Sequence, residues 1–156
     1  MKYLVIGDVH AEYIPFKRAI NFARSNDLHL VSVGDIVDGG PDGAICVNEM
    51  LKLLDEKKAS IVKGNHEHKI IRKLNGANVL LGPPNMITLE QMETDKLFEY
   101  EFRQMVENYC QTYIKLNDTL NTLVNNFNTI NSHFFINYYL FTDGDNISIP
   151  SFYYYK

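Results

Sequence analysis

Three short apolar runs constrain the fold of this chain more than any other feature of its sequence. Each run is followed, within two residues, by a glycine and then by an aspartate or asparagine: Asp8, Asp35 and Asn65. The runs themselves cover residues 3–6, 28–33 and 59–62. Continuous apolar runs of this length are typical of strands that are buried on both faces of a parallel sheet.

Apolar residues recur at helical spacing between these runs. The first set follows Pro15, a residue suited to the first turn of a helix, and consists of Phe16, Ala19, Ile20 and Ala23. The second set lies in residues 45–54 and includes Ile45. Strands that alternate with helices at this pitch predict βαβ units joined by right-handed crossovers. The sequence therefore predicts an α/β fold with a mostly parallel sheet.

The patterns after the third run are weaker. Residues 82–85, Gly-Pro-Pro-Asn, are expected to form a loop. Thr88 with Gln91 fits a capping box that opens a helix through about residue 107. Residues 109–116 are predicted as a strand that ends in a turn at residues 117–118.

Potential metal ligands follow each of the three predicted strands. They form three pairs along the chain: Asp8 with His10, Asp35 with Asp38, and Asn65 with His66. In open α/β sheets ligands bind beyond the carboxyl ends of the strands, so these pairs are expected to converge. Oxygen donors mixed with imidazole suit Mn, Fe or Zn better than calcium. One carboxylate such as Asp35 can bridge two ions.

Each pair taken alone fits an ordinary turn at the end of a strand. Their order and spacing are more specific, with 27 residues from Asp8 to Asp35 and 30 residues from Asp35 to Asn65. Three such pairs, each ending a predicted strand, are unlike a chance combination and indicate one metal site.

Residues 7–10, 34–40 and 64–67 resemble the first three signature blocks of the calcineurin-like metallophosphoesterases. The resemblance is to the phosphoprotein-phosphatase-type branch, which includes bacteriophage protein phosphatases and diadenosine tetraphosphatases. The stretch 64–107 most resembles a further member, the phosphatase domain of bacterial polynucleotide kinase-phosphatase. The full family fold sandwiches two mixed sheets, of which this chain is expected to contain the first and only part of the second.

The resemblance implies four ligands for two divalent ions (Mn, Fe, Zn or Ni): Asp8, His10, Asp35 and Asn65. Asp35 would bridge the two ions. His66 would lie near the leaving-group oxygen as general acid, oriented by Asp38, and an imidazole suits proton donation near neutral pH. Glu67 and His68 follow on a predicted helix start and are interpreted as supporting or surface residues.

The implied reaction is hydrolysis of a phosphate monoester or anhydride by metal-activated water, without a covalent enzyme intermediate. The implied partner is a phosphorylated substrate: a protein, a nucleotide or the phosphate end of a nucleic acid. The substrate-binding residues and the oligomeric state are not defined by the sequence.

The chain also departs from the family pattern. Gly39 stands where the family commonly has an arginine that grips phosphate, so a weaker phosphate affinity is expected. Two downstream histidine motifs that complete the second metal site in the family are not visible. The one later histidine, His133, lacks their context and is a weak candidate ligand. His29 lies inside a predicted strand and is interpreted as structural.

Composition changes near residue 118. Residues 1–118 hold 31 of the 34 charged residues, whereas residues 119–156 are rich in asparagine and aromatic side chains. We therefore divide the chain into a metallophosphoesterase-like part, residues 1–118, and an atypical tail, residues 119–156. The tail is interpreted as not native to the fold, as a truncation or frameshift would leave it.

Composition excludes other classes of protein. A net charge of −4 argues against a broad basic surface for nucleic acid. Residues 134–141, an apolar stretch interrupted by an asparagine, are far too short for a membrane span. Two cysteines do not suggest a disulfide framework, so a reduced, cytoplasmic protein without membrane association is expected.

Three hypotheses about function therefore stand side by side. The first is a working two-metal phosphoesterase. The second is an inactive, truncated relative of that family. The third is a binding module that uses the metal cluster to hold phosphorylated partners without turnover.

Overall fold

The computed structural model describes residues 2–112, residue 114 and residues 138–141. Strands and helices alternate over the first part of these residues, and helices follow one another over the second part. The elements are β1 (Tyr3–Ile6), α1 (Tyr13–Ser25), β2 (His29–Ser32), α2 (Gly43–Asp55), β3 (Ala59–Ile61), α3 (Asn65–Leu74), α4 (Pro83–Thr94), α5 (Lys96–Gln104), a π-helical turn (Met105–Tyr109) and β4 (Tyr138–Phe141).

The strands form a sheet in the order β3-β2-β1-β4. β1, β2 and β3 are parallel, with Tyr3 opposite His29 and Leu30 opposite Ala59. β4 pairs with β1 in the antiparallel direction. The predicted α/β fold with a mostly parallel sheet is confirmed, and the carboxyl ends of β1, β2 and β3 lie side by side at one edge.

Helices α1 and α2 pack their apolar faces into the core. The buried residues of α1 match the predicted set: Phe16, Ala19, Ile20 and Ala23. In α2 the buried face includes Cys46, Met50 and Leu53, whereas Ile45 is 40% exposed. Ile45 precedes Cys46 by one residue, about 100° around the helix, and so falls outside the buried stripe.

Helix α4 begins earlier than the sequence patterns predict. Pro83 and Pro84 occupy its first turn, where a backbone N–H has no helical partner and its absence costs little. Gly82 is the residue before the helix, and its N–H donates to the Asn85 side-chain oxygen at 2.9 Å. The prediction of a loop over residues 82–85 is therefore wrong for residues 83–85, which belong to α4. Thr88 lies inside the helix, 2% exposed, and caps nothing.

The helix predicted through residue 107 is two helices. Asp95 has extended backbone angles, φ −117° and ψ 93°, and ends α4. Its side chain accepts hydrogen bonds from the N–H groups of Leu97 and Phe98 at 3.0 and 3.1 Å, which caps the start of α5.

The strand predicted over residues 109–116 is replaced by other structure where it is described. Tyr109 closes the π-helical turn, and Gln111 forms an isolated parallel bridge with Val62. Residues 113 and 115–118, and with them the predicted turn, lie outside the described residues. A backbone group that is bonded within a helix cannot also bond to a neighbouring strand. Here the π-helical turn extends α5 as far as Tyr109, so the predicted strand cannot begin there.

The two cysteines, Cys46 and Cys110, are free thiols. Among residues 2–112 and the other described positions, the helices are too short and too polar to cross a membrane.

Candidate active site

Three loops at one edge of the sheet carry the predicted site residues. Because β1, β2 and β3 are parallel neighbours, the loops that follow them start side by side. The first loop carries Asp8 and His10, the second carries Asp35 and Asp38, and the third begins α3 with Asn65 and His66. Backbone bonds tie the first loop to the second, since the N–H groups of Val9 and His10 both donate to the Asp35 carbonyl at 3.0 and 2.9 Å.

His10, Asp35 and His66 converge on one point. One ligand atom from each side chain lies within 4.8 Å of the other two. The two imidazole rings meet edge to face, with their centroids 4.8 Å apart, and Asp35 is 8% exposed. Carboxylate and imidazole donors gathered in this way are a donor set for a divalent transition metal.

Hydrogen bonding defines which nitrogen of His10 can bind a metal. Its Nδ1 lies 3.3 Å from the Val37 carbonyl oxygen. Because a carbonyl only accepts, Nδ1 must carry the proton, and Nε2 is the atom available to a metal. Nε2 lies 3.5 Å from Oδ2 of Asp8. Two atoms bound to one ion at about 2.1 Å are separated by about 3 to 3.4 Å, so His10 and Asp8 fit a shared cation.

The electrostatics of the cluster favour positive charge. The hydrogen bond to Asp8 raises the pKa of His10 to about 9, and the Val37 carbonyl and the charge of Asp35 act in the same direction against burial. The negative field that holds a proton on His10 would equally stabilise a metal cation in its place.

Asp35 is held in the left-handed region, with φ 53°. One of its oxygens, Oδ1, accepts the backbone N–H of His66 at 3.0 Å. Burial raises the pKa of Asp35, while the bond from His66 opposes that change. His10, Ala11 and Asp38 also have positive φ, at 49°, 57° and 72°. Strained backbone of this kind collects at functional sites, where surrounding structure holds it in place.

The His66 ring is hydrogen-bonded to Asp38. Its Nδ1 lies 2.7 Å from Oδ2 of Asp38, whose side chain is completely buried. The carboxylate keeps a proton on Nδ1 and leaves Nε2 as the nitrogen available to another partner. Burial acts to lower the pKa of His66, but the bond to Asp38 and the charges of Asp35 and Asp38 outweigh it, so the pKa is raised.

Asn85 and Glu67 are two buried residues that the motifs did not assign to this site. The Asn85 amide, on the first turn of α4, donates to Oδ2 of Asp38. Nothing in the sequence singles out this asparagine, 47 residues from Asp38, apart from its place after two prolines. Glu67, for which the sequence predicts a supporting or surface role, is fully buried beneath the loop after β2.

Both oxygens of Glu67 bind backbone N–H groups. Oε2 accepts from Asp35 at 2.7 Å and from Gly64 at 3.1 Å, and Oε1 accepts from Ile36 at 2.7 Å. Burial and the charge of Asp35 raise the pKa of Glu67, and the backbone bonds work against that rise. Glu67 thereby ties the start of α3 to the loop that carries Asp35 and Asp38.

Replacing Glu67 by glutamine is expected to lower the free energy of unfolding by about 2 to 3 kcal/mol. Glutamine has one acceptor oxygen, so its amide nitrogen would face backbone N–H donors that also need an acceptor. Urea unfolding measures the effect. Glu93→Gln, at an exposed position of α4, is the matched control and should change stability by less than about 0.5 kcal/mol. Equal effects of the two substitutions would contradict this role for Glu67.

The remaining predicted residues lie as follows. Asn65 is exposed at the first residue of α3, and Asp8 is half-buried beside His10. Gly39 is exposed with φ 103°, so no guanidinium reaches phosphate from this position. His29 bonds to Ser60 Oγ at 2.8 Å, in agreement with a structural role. His133 lies outside the described residues.

A parallel sheet whose strand ends deliver a carboxylate and two imidazoles to one cluster defines the class of α/β proteins that bind their ligands beyond the carboxyl ends of the strands, here with donors suited to a divalent metal. Comparison with known proteins gives the family. The sequence model of the calcineurin-like phosphoesterase family matches residues 1–154, and the chain belongs to this family.

Several curated relatives are similar over part of their length. Bis(5′-nucleosyl)-tetraphosphatase PrpE (asymmetrical) of Oceanobacillus iheyensis is 36% identical over 90 residues, covering 51% of this chain and 36% of that protein. Serine/threonine-protein phosphatase 1 of Salmonella typhimurium is 41% identical over 66 residues, covering 40% of this chain and 28% of that protein. Serine/threonine-protein phosphatase 2 of Escherichia coli is 39% identical over the same length. The chain thus aligns with only 36% or less of the length of these relatives.

Proposed function

We propose that this chain is a metal-dependent phosphoesterase that hydrolyses phosphate monoesters or anhydrides. The observation that carries the proposal is the convergence of His10, Asp35 and His66 within 4.8 Å at the carboxyl edge of the sheet. Membership of the calcineurin-like phosphoesterase family supports it.

The metal ligands we propose are Asp8, His10, Asp35 and Asn65, with Asp35 shared between two divalent ions. Its position between the first and third loops supports the shared role, since its backbone carbonyl binds the first loop and its side chain binds the third. Bound divalent ions supply Lewis acidity toward a phosphoryl group and activate water at neutral pH. We propose manganese as the physiological ion, because mixed oxygen and imidazole donors suit it.

His66 and Asp38 are the residues that we propose act on the leaving group. Oδ2 of Asp38 lies 2.7 Å from Nδ1 of the ring, so Nε2 is the nitrogen that remains for the leaving group. In the imidazolium form, which the raised pKa of His66 favours, Nε2 carries a second proton. Its delivery to the departing oxygen would prevent a strongly basic alkoxide from leaving unprotonated and would leave His66 neutral with its proton on Nδ1. The fixed ring orientation keeps the Nε2 proton directed at one place.

The proposed substrate is a phosphorylated molecule, either a nucleotide or a protein. Relatives named as a dinucleoside tetraphosphatase and as serine/threonine-protein phosphatases support both classes. Gly39 has no side chain with which to bind phosphate. The metal ions and other residues would therefore have to bind the phosphate group. The free thiols of Cys46 and Cys110 support a reducing, cytoplasmic location. The division of the chain at residue 118 stays a prediction.

The proposal is tested by hydrolysis of p-nitrophenyl phosphate in the presence of Mn²⁺. We expect turnover that is abolished by a chelator and restored by added metal. Metal analysis should find two ions per chain. Absence of turnover with both ions bound would favour the binding module over the enzyme, and failure to bind metal would contradict the site itself.

His66→Asn should reduce kcat by about 100-fold or more, because a general acid contributes about 10²- to 10⁴-fold. The neighbouring His68→Asn is the matched control, since His68 lies two residues further along α3, about 200° around the helix from His66, and is exposed. Wild-type rates are expected for that control. Equal losses in the two variants would exclude the proposed role of His66.

A further inference from the structure

We propose that Asn85 is a positioning residue, which holds the Asp38 carboxylate and through it the His66 imidazole. This inference rests on the proposed function, in which His66 donates the proton to the leaving group. Asn85 lies on the first turn of α4 and is 3% exposed. It joins a helix that carries none of the proposed metal ligands to the centre of the site.

Both ends of the Asn85 amide are used, which defines its orientation. Oδ1 accepts the backbone N–H of Gly82 at 2.9 Å. Because that N–H only donates, the atom facing it must be the oxygen, and Nδ2 is directed at Asp38. Nδ2 donates to Oδ2 of Asp38. The start of α4 therefore fixes the amide that in turn binds the carboxylate.

Asp38 depends on this contact because it is completely buried. Its Oδ2 accepts two bonds, from His66 Nδ1 and from Asn85 Nδ2. Its Oδ1 is buried and has no hydrogen-bond partner among the described residues. Asn85 is thus the neutral donor that stabilises a buried carboxylate beside the imidazole, and burying a charge without such partners is costly.

Without Asn85 the carboxylate has a single side-chain donor, His66. The carboxylate is then held by one side-chain bond in place of two, and Oδ1, which has no hydrogen-bond partner among the described residues, can compete with Oδ2 for the ring. The backbone of Asp38 has φ 72°, a conformation that surrounding contacts must hold. Loss of the amide therefore loosens the imidazole while the proposed metal ligands stay in place.

Two variants separate this role from simple support of α4. Asn85→Leu has a similar size and removes both bonds. Asn85→Asp keeps an oxygen for the Gly82 N–H, so α4 retains its start, but replaces the donor to Asp38 by a second oxygen. Thr88→Val is the matched control, since Thr88 is buried on the same face of α4, one turn further along.

The first measurement needs no turnover. Nitrogen-15 NMR of the His66 ring reports which nitrogen carries the proton, and the wild type should show Nδ1–H in a strong hydrogen bond. Asn85→Leu and Asn85→Asp, measured on the alkaline side of neutrality, should lose this signal or show mixed tautomers. Thr88→Val should retain it. An unchanged His66 signal in both Asn85 variants would overturn the inference.

The second measurement compares leaving groups. Phenolate is a much stronger base than p-nitrophenolate, so phenyl phosphate needs the proton from His66 more. With Asn85→Leu we expect kcat for phenyl phosphate to fall about 10- to 100-fold, the usual cost of losing a partner behind a functional residue. The fall for p-nitrophenyl phosphate should be smaller, and KM should be little changed for both.

Equal losses for the two substrates, or a change confined to KM, would contradict the positioning role. Failure of the wild type to hydrolyse either substrate would contradict the proposed function alone. The NMR result would then still decide whether Asn85 holds the Asp38–His66 pair.

Discussion

Asp35→Asn is expected to abolish metal-dependent phosphoester hydrolysis, with a loss of about 10⁴-fold or more. Lewis-acid stabilisation by metal is worth several kcal/mol, and each 1.36 kcal/mol is about tenfold in rate. Asparagine preserves the shape of the side chain and the oxygen that accepts the His66 N–H at 3.0 Å. What it removes is the negative charge at the centre of the cluster, so metal binding and turnover should fall together. The measurement is metal content alongside hydrolysis of p-nitrophenyl phosphate.

Asp27→Asn provides a matched control for this substitution. Asp27 and Asp35 share a left-handed backbone, with φ 49° and 53°, a conformation that asparagine tolerates as well as aspartate. Asp27 lies in an exposed turn, where it pairs with Lys58. We expect this control to retain full activity and metal content. Metal content unchanged in Asp35→Asn would contradict the proposed ligand role.

Gly34→Ala is expected to reduce the free energy of unfolding by about 2 to 5 kcal/mol. Gly34 has φ 99°, which costs about 1 to 2 kcal/mol for a residue with a Cβ. A Cβ there would also lie 2.3 Å from the Gly64 nitrogen and 2.8 Å from the Val62 carbonyl oxygen. Both are backbone atoms, so relief requires the loops after β2 and β3 to separate, at a further cost of about 1 to 3 kcal/mol. The melting temperature should fall by about 10 °C.

Gly76→Ala separates the two causes of that loss. Gly76 also has a positive φ, 82°, but a Cβ there would meet nothing within 4 Å. Its cost should be only the conformational part, about 1 to 2 kcal/mol. Because the displaced loops carry Asp35 and Asn65, Gly34→Ala should also lose metal affinity, whereas Gly76→Ala should not. Equal stability of the two variants would show that the close approach at Gly34 is unimportant.

The predictable part of this protein is the part encoded by local patterns. Apolar runs that end at Ile6 and Val33 predict buried strands, and helical spacing predicts the buried face of α1. Parallel strands place their carboxyl ends together, so the convergence of His10, Asp35 and His66 follows from the order of the elements. These features depend on periodicity and topology, which sequence carries directly.

The helices after α3 are harder to predict, because the same residues in this part of the sequence are compatible with a loop and with a helix. Pro83 and Pro84 indicate a loop by composition, yet both fit the first turn of a helix. Asp95 resembles any exposed acidic residue until its side chain is seen to cap α5. Local sequence allowed both outcomes, and packing of α4 and α5 against α2 selected one of them.

The sequence by itself determined the parallel sheet and the residues that its strand ends bring to one edge. Only the tertiary structure decided what supports those residues. Glu67 binds the backbone of the loop after β2, and Asn85 reaches Asp38 from a helix 47 residues away. A buried polar group needs a partner of defined direction, and the chain supplies that partner from whichever element packs nearest. Such contacts leave no periodic pattern, so they become visible only once the elements are packed together.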